Sequence, residues 1–357
     1  ISVGHCHPDI IPEVVKQAET LQHATTLYYT ESLVKLAEAL AGIAPGNLQK
    51  SFFTNSGTEA TEMAAVVTKN YTKRHEFIAL RHAFHGRTLM SMTLSGQSLW
   101  RHSVPYVFGV QHAPAAYCYR CPMGLTYPAC DMKCAYEVEE IIKYSTSGKI
   151  AGMIAEPIMG FGGVITPPKE YFKIVADIVH KYGGLLIVDE VQTGFGRTGE
   201  KWFGIEHWDV VPDIITMAKG MGNGIPIGGV ITTPEIAESH RGLIHFSTYG
   251  GNPVSTTQAR LVIETIKKRD YRKNTKVIGD YLKGKFLELQ EKHKIIGEVR
   301  GMGLMLGIEL VKDRKTKEPA AKEMLHLMDL CKDRGLFIGK GAMAGNVIRI
   351  KPPFCID

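Results

Sequence analysis

The chain has 357 residues, of which 44 % are hydrophobic and 22 % charged, and its formal net charge is +6. That length accommodates one large and one smaller domain, and the balance of residue types is that of an ordinary globular protein. The mild positive charge is dispersed, which argues against nucleic-acid or membrane-surface partners, and no apolar run is long enough to span a membrane.

Taken in order, residues 1–30 read as the remnant of an N-terminal segment. Leu33, Leu36, Leu40 and Ile43 recur at helical spacing over 31–44, and Pro45-Gly46 stops the helix. Residues 50–54 predict a short strand that runs through Asn55-Ser56-Gly57-Thr58 into a helix ending near 71. A strand, a tight turn and a helix N-terminus make an anion site, although Ser56 or Thr58 would serve equally as a plain N-cap. The next strand, 76–80, leads to Phe84-His85-Gly86-Arg87. Read alone, the Phe belongs to the core and the His is structural.

Residues 113–135 form a loop with Cys118, Cys121, Cys130 and Cys134. Four thiolates at this spacing could hold a structural zinc, form a local disulfide or stay free. The chemistry read below needs no metal, and none is assigned. Cys6, Cys331 and Cys355 are scattered, which fits reduced thiols in a cytoplasmic protein. A transit peptide ahead of Ile1 would instead place it in the mitochondrial matrix.

After a helix comes the strand 150–155, ending at Glu156-Pro157, and then Gly160-Phe161-Gly162-Gly163. A helix over 169–182 delivers the chain to Leu185-Leu186-Ile187-Val188-Asp189, and a second apolar run, Ile214-Ile215-Thr216-Met217-Ala218, leads to Lys219. Apolar runs of four or five residues bounded by Gly read as strands buried on both faces. Asp189 then lies at the carboxyl end of one central strand and Lys219 at the end of another, where open α/β sheets bind ligands. A structural Lys–Asp pair would read the same way, but Gly220, Gly222, Gly224 and Gly228 beside the lysine permit close approach of a cofactor. A lysine for a Schiff base and an acid for a pyridine nitrogen are what pyridoxal phosphate chemistry needs. Beyond a strand over 226–232 and the polar loop Phe246-Ser247-Thr248-Tyr249, two long helices fill 254–294. Strands follow at 296–300, 305–311, 336–338 and 347–350, with a helix over 320–334. Gly301-x-Gly303 only loosely echoes a dinucleotide fingerprint and follows the wrong element.

The runs Leu186-Ile187-Val188-Asp189-Glu190-Val191-Gln192-Thr193-Gly194-Phe195-Gly196-Arg197 and Asp213-Ile214-Ile215-Thr216-Met217-Ala218-Lys219 resemble the class-III aminotransferases, and the likeness extends from Val3-Gly4-His5 to Ile348-Arg349-Ile350-Lys351-Pro352-Pro353. That family includes ornithine, GABA and acetylornithine aminotransferases and the mitochondrial-type alanine–glyoxylate enzymes. The resemblance implies an α/β fold, the fold-type I PLP-dependent transferase. It divides the chain into an N-terminal segment of the small domain (1–43), a large cofactor-binding domain (44–256) and a C-terminal small domain (257–357).

It also implies the cofactor pyridoxal 5'-phosphate, with Lys219 as Schiff-base lysine and proton shuttle and Asp189 beside the pyridine nitrogen. Ser56, Gly57 and Thr58 would hold the phosphate and Phe84 would stack on the ring. His85, Glu156 and Gln192 would complete the site, with Gln192 at the phenolic oxygen. Ser247 and Thr248 would reach the phosphate of a second subunit in a homodimer. Arg349 would clamp the substrate α-carboxylate and Arg87 a distal one.

The ornithine and GABA members carry a glutamate where this chain has Phe161, and that glutamate neutralises the arginine in one half-reaction. Its lack here points to transfer between an amino donor and a small 2-oxo acid: glyoxylate, pyruvate or 2-oxoglutarate. A phospho-lyase acting on phosphorylated amino alcohols, an ω-aminotransferase and a non-enzymatic binding protein are the alternatives.

Overall fold

The computed structural model describes residues 1–102 and 106–357. Helices α1 (Ile11–Thr20) and α2 (Glu31–Ala41) open the chain, and Thr30 caps α2 by accepting from the Leu33 backbone N–H. Strand β1 (Lys50–Thr54) is followed by α3 (Gly57–Thr72), β2 (Phe77–Leu80), α4 (Leu89–Leu94) and β3 (Val110–Ala113). Then come α5 (Lys133–Ser145), β4 (Gly152–Ala155), α6 (Tyr171–Lys181), β5 (Leu185–Asp189), β6 (Ile214–Met217), β7 (Gly228–Thr232) and α7 (Pro234–Glu238). The seven strands form one sheet in the order β1-β7-β6-β5-β4-β2-β3, and only β7 runs against the rest. Every residue of β4, β5, β6 and β7 is buried. That is why these strands read as continuous apolar runs rather than alternations.

The second unit follows α8 (Pro253–Lys268), which Asn252 caps through the N–H groups of Val254 and Ser255. Its elements are α9 (Tyr271–Lys292), β8 (Ile296–Met302), β9 (Met305–Leu310), α10 (Ala321–Asp333), β10 (Gly339–Gly341) and β11 (Val347–Ile350). The strands make an antiparallel sheet in the order β10-β11-β9-β8. Ile296, Val299, Ile308, Leu310, Met324 and Ile348 form its own apolar cluster, each side chain contributing about 1.5–3 kcal/mol on full burial.

Several elements depart from the sequence reading. Helix α1 lies inside the segment read as a remnant, where no helix was expected, and none of its residues is fully buried. The strand expected at 336–338 forms at Gly339–Gly341 instead, because Leu336 and Phe337 are exposed while the backbone three residues on pairs with β11. Strand β3 was not foreseen: Val-Gln-His-Ala carries little apolar pattern, and its pairing with β2 is what makes it a strand.

Candidate active site

The carboxyl ends of β1, β4, β5 and β6 open on the same edge of the large sheet and deliver the turn before α3, Glu156, Asp189 and Lys219 to one place. A cavity there is lined by Gly57, Thr58, Phe84, His85, Gly86, Glu156, Asp189, Val191, Gln192 and Lys219. A Cβ on Gly57 would lie 3.1 Å from Val191, and one on Gly86 would lie 2.6 Å from both Thr58 and Ser91. The two glycines therefore let the backbone come close around the N-terminus of α3, where free N–H groups and the helix dipole favour an anion.

The Asp189 side chain is held from two sides. Its Oδ2 lies 2.7 Å from His85 Nδ1, and its Oδ1 accepts from the Val191 N–H at 3.1 Å. Both Asp189 and His85 are buried. The other His85 nitrogen, Nε2, is buried without a partner among the described residues. Glu156 accepts from the Phe84 N–H at 3.0 Å and the Gly160 N–H at 2.9 Å, and burial together with the nearby Asp189 charge raises its pKa.

Lys219 sits just beyond β6 with φ of +44°, a left-handed conformation that costs a non-glycine residue about 1–3 kcal/mol. Its side chain opens onto the cavity and keeps accessible surface there, yet protein encloses it on its other sides. Desolvation consequently lowers its pKa, helped by the Arg349 charge and opposed by Asp189 and Glu156.

Phe84, Phe161 and Trp100 form a triangle with ring centroids 4.9–5.0 Å apart. The Arg349 guanidinium lies 4.5 Å over the Phe161 ring, with Lys219 Nζ 5.7 Å from the same ring. Arg349 Nε donates to the Lys340 carbonyl at 2.8 Å. Among the described residues no carboxylate forms an ion pair with it.

Five expected site residues do not line the cavity. Ser56 is the N-cap of α3 and accepts from the Glu59 N–H at 3.2 Å. Arg349 stands behind Phe161, and Arg87 is exposed. Ser247 is tied to Thr26, its N–H donating to Thr26 Oγ1 at 3.1 Å, and Thr248 is exposed. The four cysteines of the 118–134 loop are free thiols around one small cavity, and the described residues hold no group of His, Cys, Asp or Glu arranged for a metal.

Three residues packed around the cavity's lining were not singled out from sequence. Trp100 follows a loop with no pattern, and Lys351 stands inside the Ile348-to-Pro353 run without a role of its own. Arg300 sits in a strand yet is buried. It donates to the Gly163 carbonyl at 2.9 and 2.6 Å, pairs with Glu309 at 2.6 Å and also contacts Glu298 and Tyr117.

The donor set fits pyridoxal 5'-phosphate. It offers an anion cradle at a helix N-terminus, an aromatic face, a fixed buried carboxylate and a lysine of lowered basicity. Comparison with known proteins agrees. The family model "Aminotransferase class-III" matches residues 1–357. The chain is 48 % identical over 355 residues to alanine–glyoxylate aminotransferase 2 homolog 2, mitochondrial, of Arabidopsis thaliana, covering 99 % of this chain and 73 % of that protein. It is 39 % identical over 363 residues to the leucine/methionine racemase of Thermococcus litoralis, covering 100 % and 80 %. A PLP-bound amine transaminase structure from an uncultivated Pseudomonas species superposes with a TM-score of 0.94 at 30 % identity, covering 100 % of this chain and 84 % of the other. The strand-end lysine and carboxylate thus sit in the fold-type I setting that the resemblance implied, and the chain belongs to the class-III, pyridoxal-phosphate-dependent aminotransferases.

Proposed function

We propose that the chain moves an amino group between an α-amino acid such as alanine and a small 2-oxo acid, glyoxylate or pyruvate foremost. The observation that carries this reading is Arg349 lying over Phe161 with no acidic partner among the described residues. An arginine free of a carboxylate stays available to a substrate α-carboxylate in both half-reactions, and its planar fork suits bidentate binding. Exposed Arg87 leaves room for the distal carboxylate of 2-oxoglutarate.

When bound, pyridoxal 5'-phosphate supplies the carbonyl that takes up the amine and the electron sink. In this reading the chain does the rest. Gly57 and Thr58 bind the phosphate with Ser56 capping the helix behind them, and Phe84 holds the ring plane. Asp189, oriented by His85, keeps a proton on the ring nitrogen. Lys219 would anchor the group, and its Nζ would take up and give back the substrate's α-proton, a task its lowered pKa suits. Glu156 fixes the backbone at Phe84 and Gly160.

The active unit is a homodimer in which Ser247 and Thr248 serve the neighbouring site. Leu27, Tyr28, Tyr29, Ile244, Phe246 and Tyr249 are all exposed around the Thr26–Ser247 contact, an apolar patch of the kind that marks an interface. The domain divisions at 43/44 and 256/257 belong to the same reading, as does a mitochondrial or cytoplasmic setting; among the described residues no helix is long and apolar enough to cross a membrane.

A panel of amino donors against glyoxylate, pyruvate and 2-oxoglutarate tests the proposal. Alanine with glyoxylate or pyruvate should give the highest kcat/KM. Inversion of leucine or methionine without net transfer, the activity named for the Thermococcus relative, would overturn it.

A further inference from the structure

Lys351 ends two residues beyond Arg349, and its Nζ donates to Gln192 Oε1 at 2.5 Å. Gln192 lines the main cavity, and Gln192, Lys351 and Lys219 also line a second chamber on the far side of Lys219. The amide is gripped on its flank as well: a Cβ on Gly160 would stand 2.4 Å from its Cδ, Nε2 and Oε1. Among the described residues, Gln192 Nε2 has no protein partner. A side-chain amide has one acceptor end and one donor end, so a lysine that occupies the oxygen leaves the N–H end for something else.

We propose that Lys351 is a positioning residue that fixes the Gln192 amide with Nε2 turned into the main cavity, as donor to the ring oxygen of the cofactor. The inference rests on the assignment of Gln192 to that oxygen and adds the residue that sets its orientation.

The surroundings favour the arrangement. The charged groups acting on Lys351 are Arg349, Lys219, Arg197 and Glu156, and burial with the three cations lowers its pKa well below that of a free lysine. An amine of depressed basicity still donates N–H to an amide oxygen while adding less repulsion beside Lys219 than a permanent cation would. Strand β11 and the residue that follows it thus bring two groups to the site with different tasks, Arg349 for the substrate and Lys351 for Gln192.

A double-mutant cycle tests this. Lys351→Met, Gln192→Ala and the double variant are stripped of cofactor and titrated with pyridoxal 5'-phosphate by fluorescence. The pH midpoint of the bound cofactor's visible absorption is then recorded. Lys351→Met should weaken cofactor binding about three- to tenfold, the usual cost of one hydrogen bond. It should also move the midpoint to higher pH, because the ring oxygen holds its proton longer without a donor. Both effects should vanish in the Gln192→Ala background. Equal effects in both backgrounds would show that Lys351 acts by its charge alone and would overturn the proposal, as would unchanged binding and midpoint in Lys351→Met. Should Lys351→Met fail to fold, Gln192→Glu removes the N–H while keeping an acceptor for Lys351. The same weakening and upward midpoint are required, and wild-type values overturn the proposal. If Gln192→Ala itself matches wild type in both readouts, the assignment of Gln192 to the ring oxygen fails first.

Discussion

Phe161→Glu places a carboxylate where the ring now faces the Arg349 guanidinium, 4.5 Å from its centroid. At an effective dielectric constant of 20, opposite charges about 4.5 Å apart attract by about 4 kcal/mol. Arg349 keeps some solvent access, so screening and the cost of desolvating the new carboxylate leave about 1–3 kcal/mol. A 2-oxo acid must break that pair before its own carboxylate reaches Arg349, so KM for glyoxylate and pyruvate should rise roughly five- to 150-fold. The substitution also removes aromatic contacts with Phe84 and Trp100, at 4.9 and 5.0 Å, and Phe161→Leu removes the same contacts without adding charge. The assay compares single-turnover half-reactions for 2-oxo acids and for an amine donor without a carboxylate. The charge argument requires the 2-oxo acid reactions to suffer in Phe161→Glu beyond Phe161→Leu, with the plain amine unaffected by the difference. Equal KM values for 2-oxo acids in the two variants would refute it.

Borohydride reduction of the holoenzyme followed by peptide mapping should label Lys219, and label on Lys340 or Lys351 would remove the assignment. Arg349→Ala should lower kcat/KM for every 2-oxo acid roughly ten- to a hundredfold, the worth of a charged bidentate contact. Arg87→Ala should affect only substrates with a distal carboxylate. Mixing inactive Lys219→Ala subunits with inactive Thr248→Arg subunits should restore activity if sites are shared; no recovery despite proven subunit exchange would confine Thr248 to its own subunit. Burial pushes the Glu190 carboxyl up to about 7. A carboxyl raised on folding stabilises the protein below its unfolded pKa and loses that contribution as pH climbs through about 7. Urea unfolding should therefore show wild type losing up to about 3 kcal/mol between pH 4.5 and 8 relative to Glu190→Gln, and parallel curves would show that Glu190 is ionised throughout.

The strands that carry Asp189 and Lys219 were legible because burial on both faces writes itself as an uninterrupted apolar run, and each run ended on a polar residue. Gly57, Thr58, Phe84, His85, Glu156 and Gln192 came with motifs at strand ends and do meet in one cavity. Lys351 and Trp100 were not legible. Nothing local distinguishes a lysine that meets Gln192, 159 residues away in sequence, from one in solvent. Arg300 escaped notice for a related reason: an arginine in a strand reads as surface unless its partners, here Glu309 and Tyr117, are known to be buried with it. Strand β10 was displaced in the reading because Gly-Lys-Gly has no side-chain pattern, and its pairing is a backbone event.

The segment around Phe161 is fastened from the smaller sheet. Arg300 grips the Gly163 carbonyl, and the Ala342 N–H donates to the Phe161 carbonyl at 3.0 Å. Arg349 rides on the same sheet. On the proposed reading, the surface a substrate meets is thus held in place by one unit, while the anion cradle, the fixed carboxylate and the lysine belong to the other. On that reading too, substitutions in β8, β10 and β11 retune what is accepted without moving Asp189 or Lys219, and replacing Arg349 alone also removes a charge that lowers the Lys219 pKa. A library confined to those three strands would be the economical way to change this enzyme's diet.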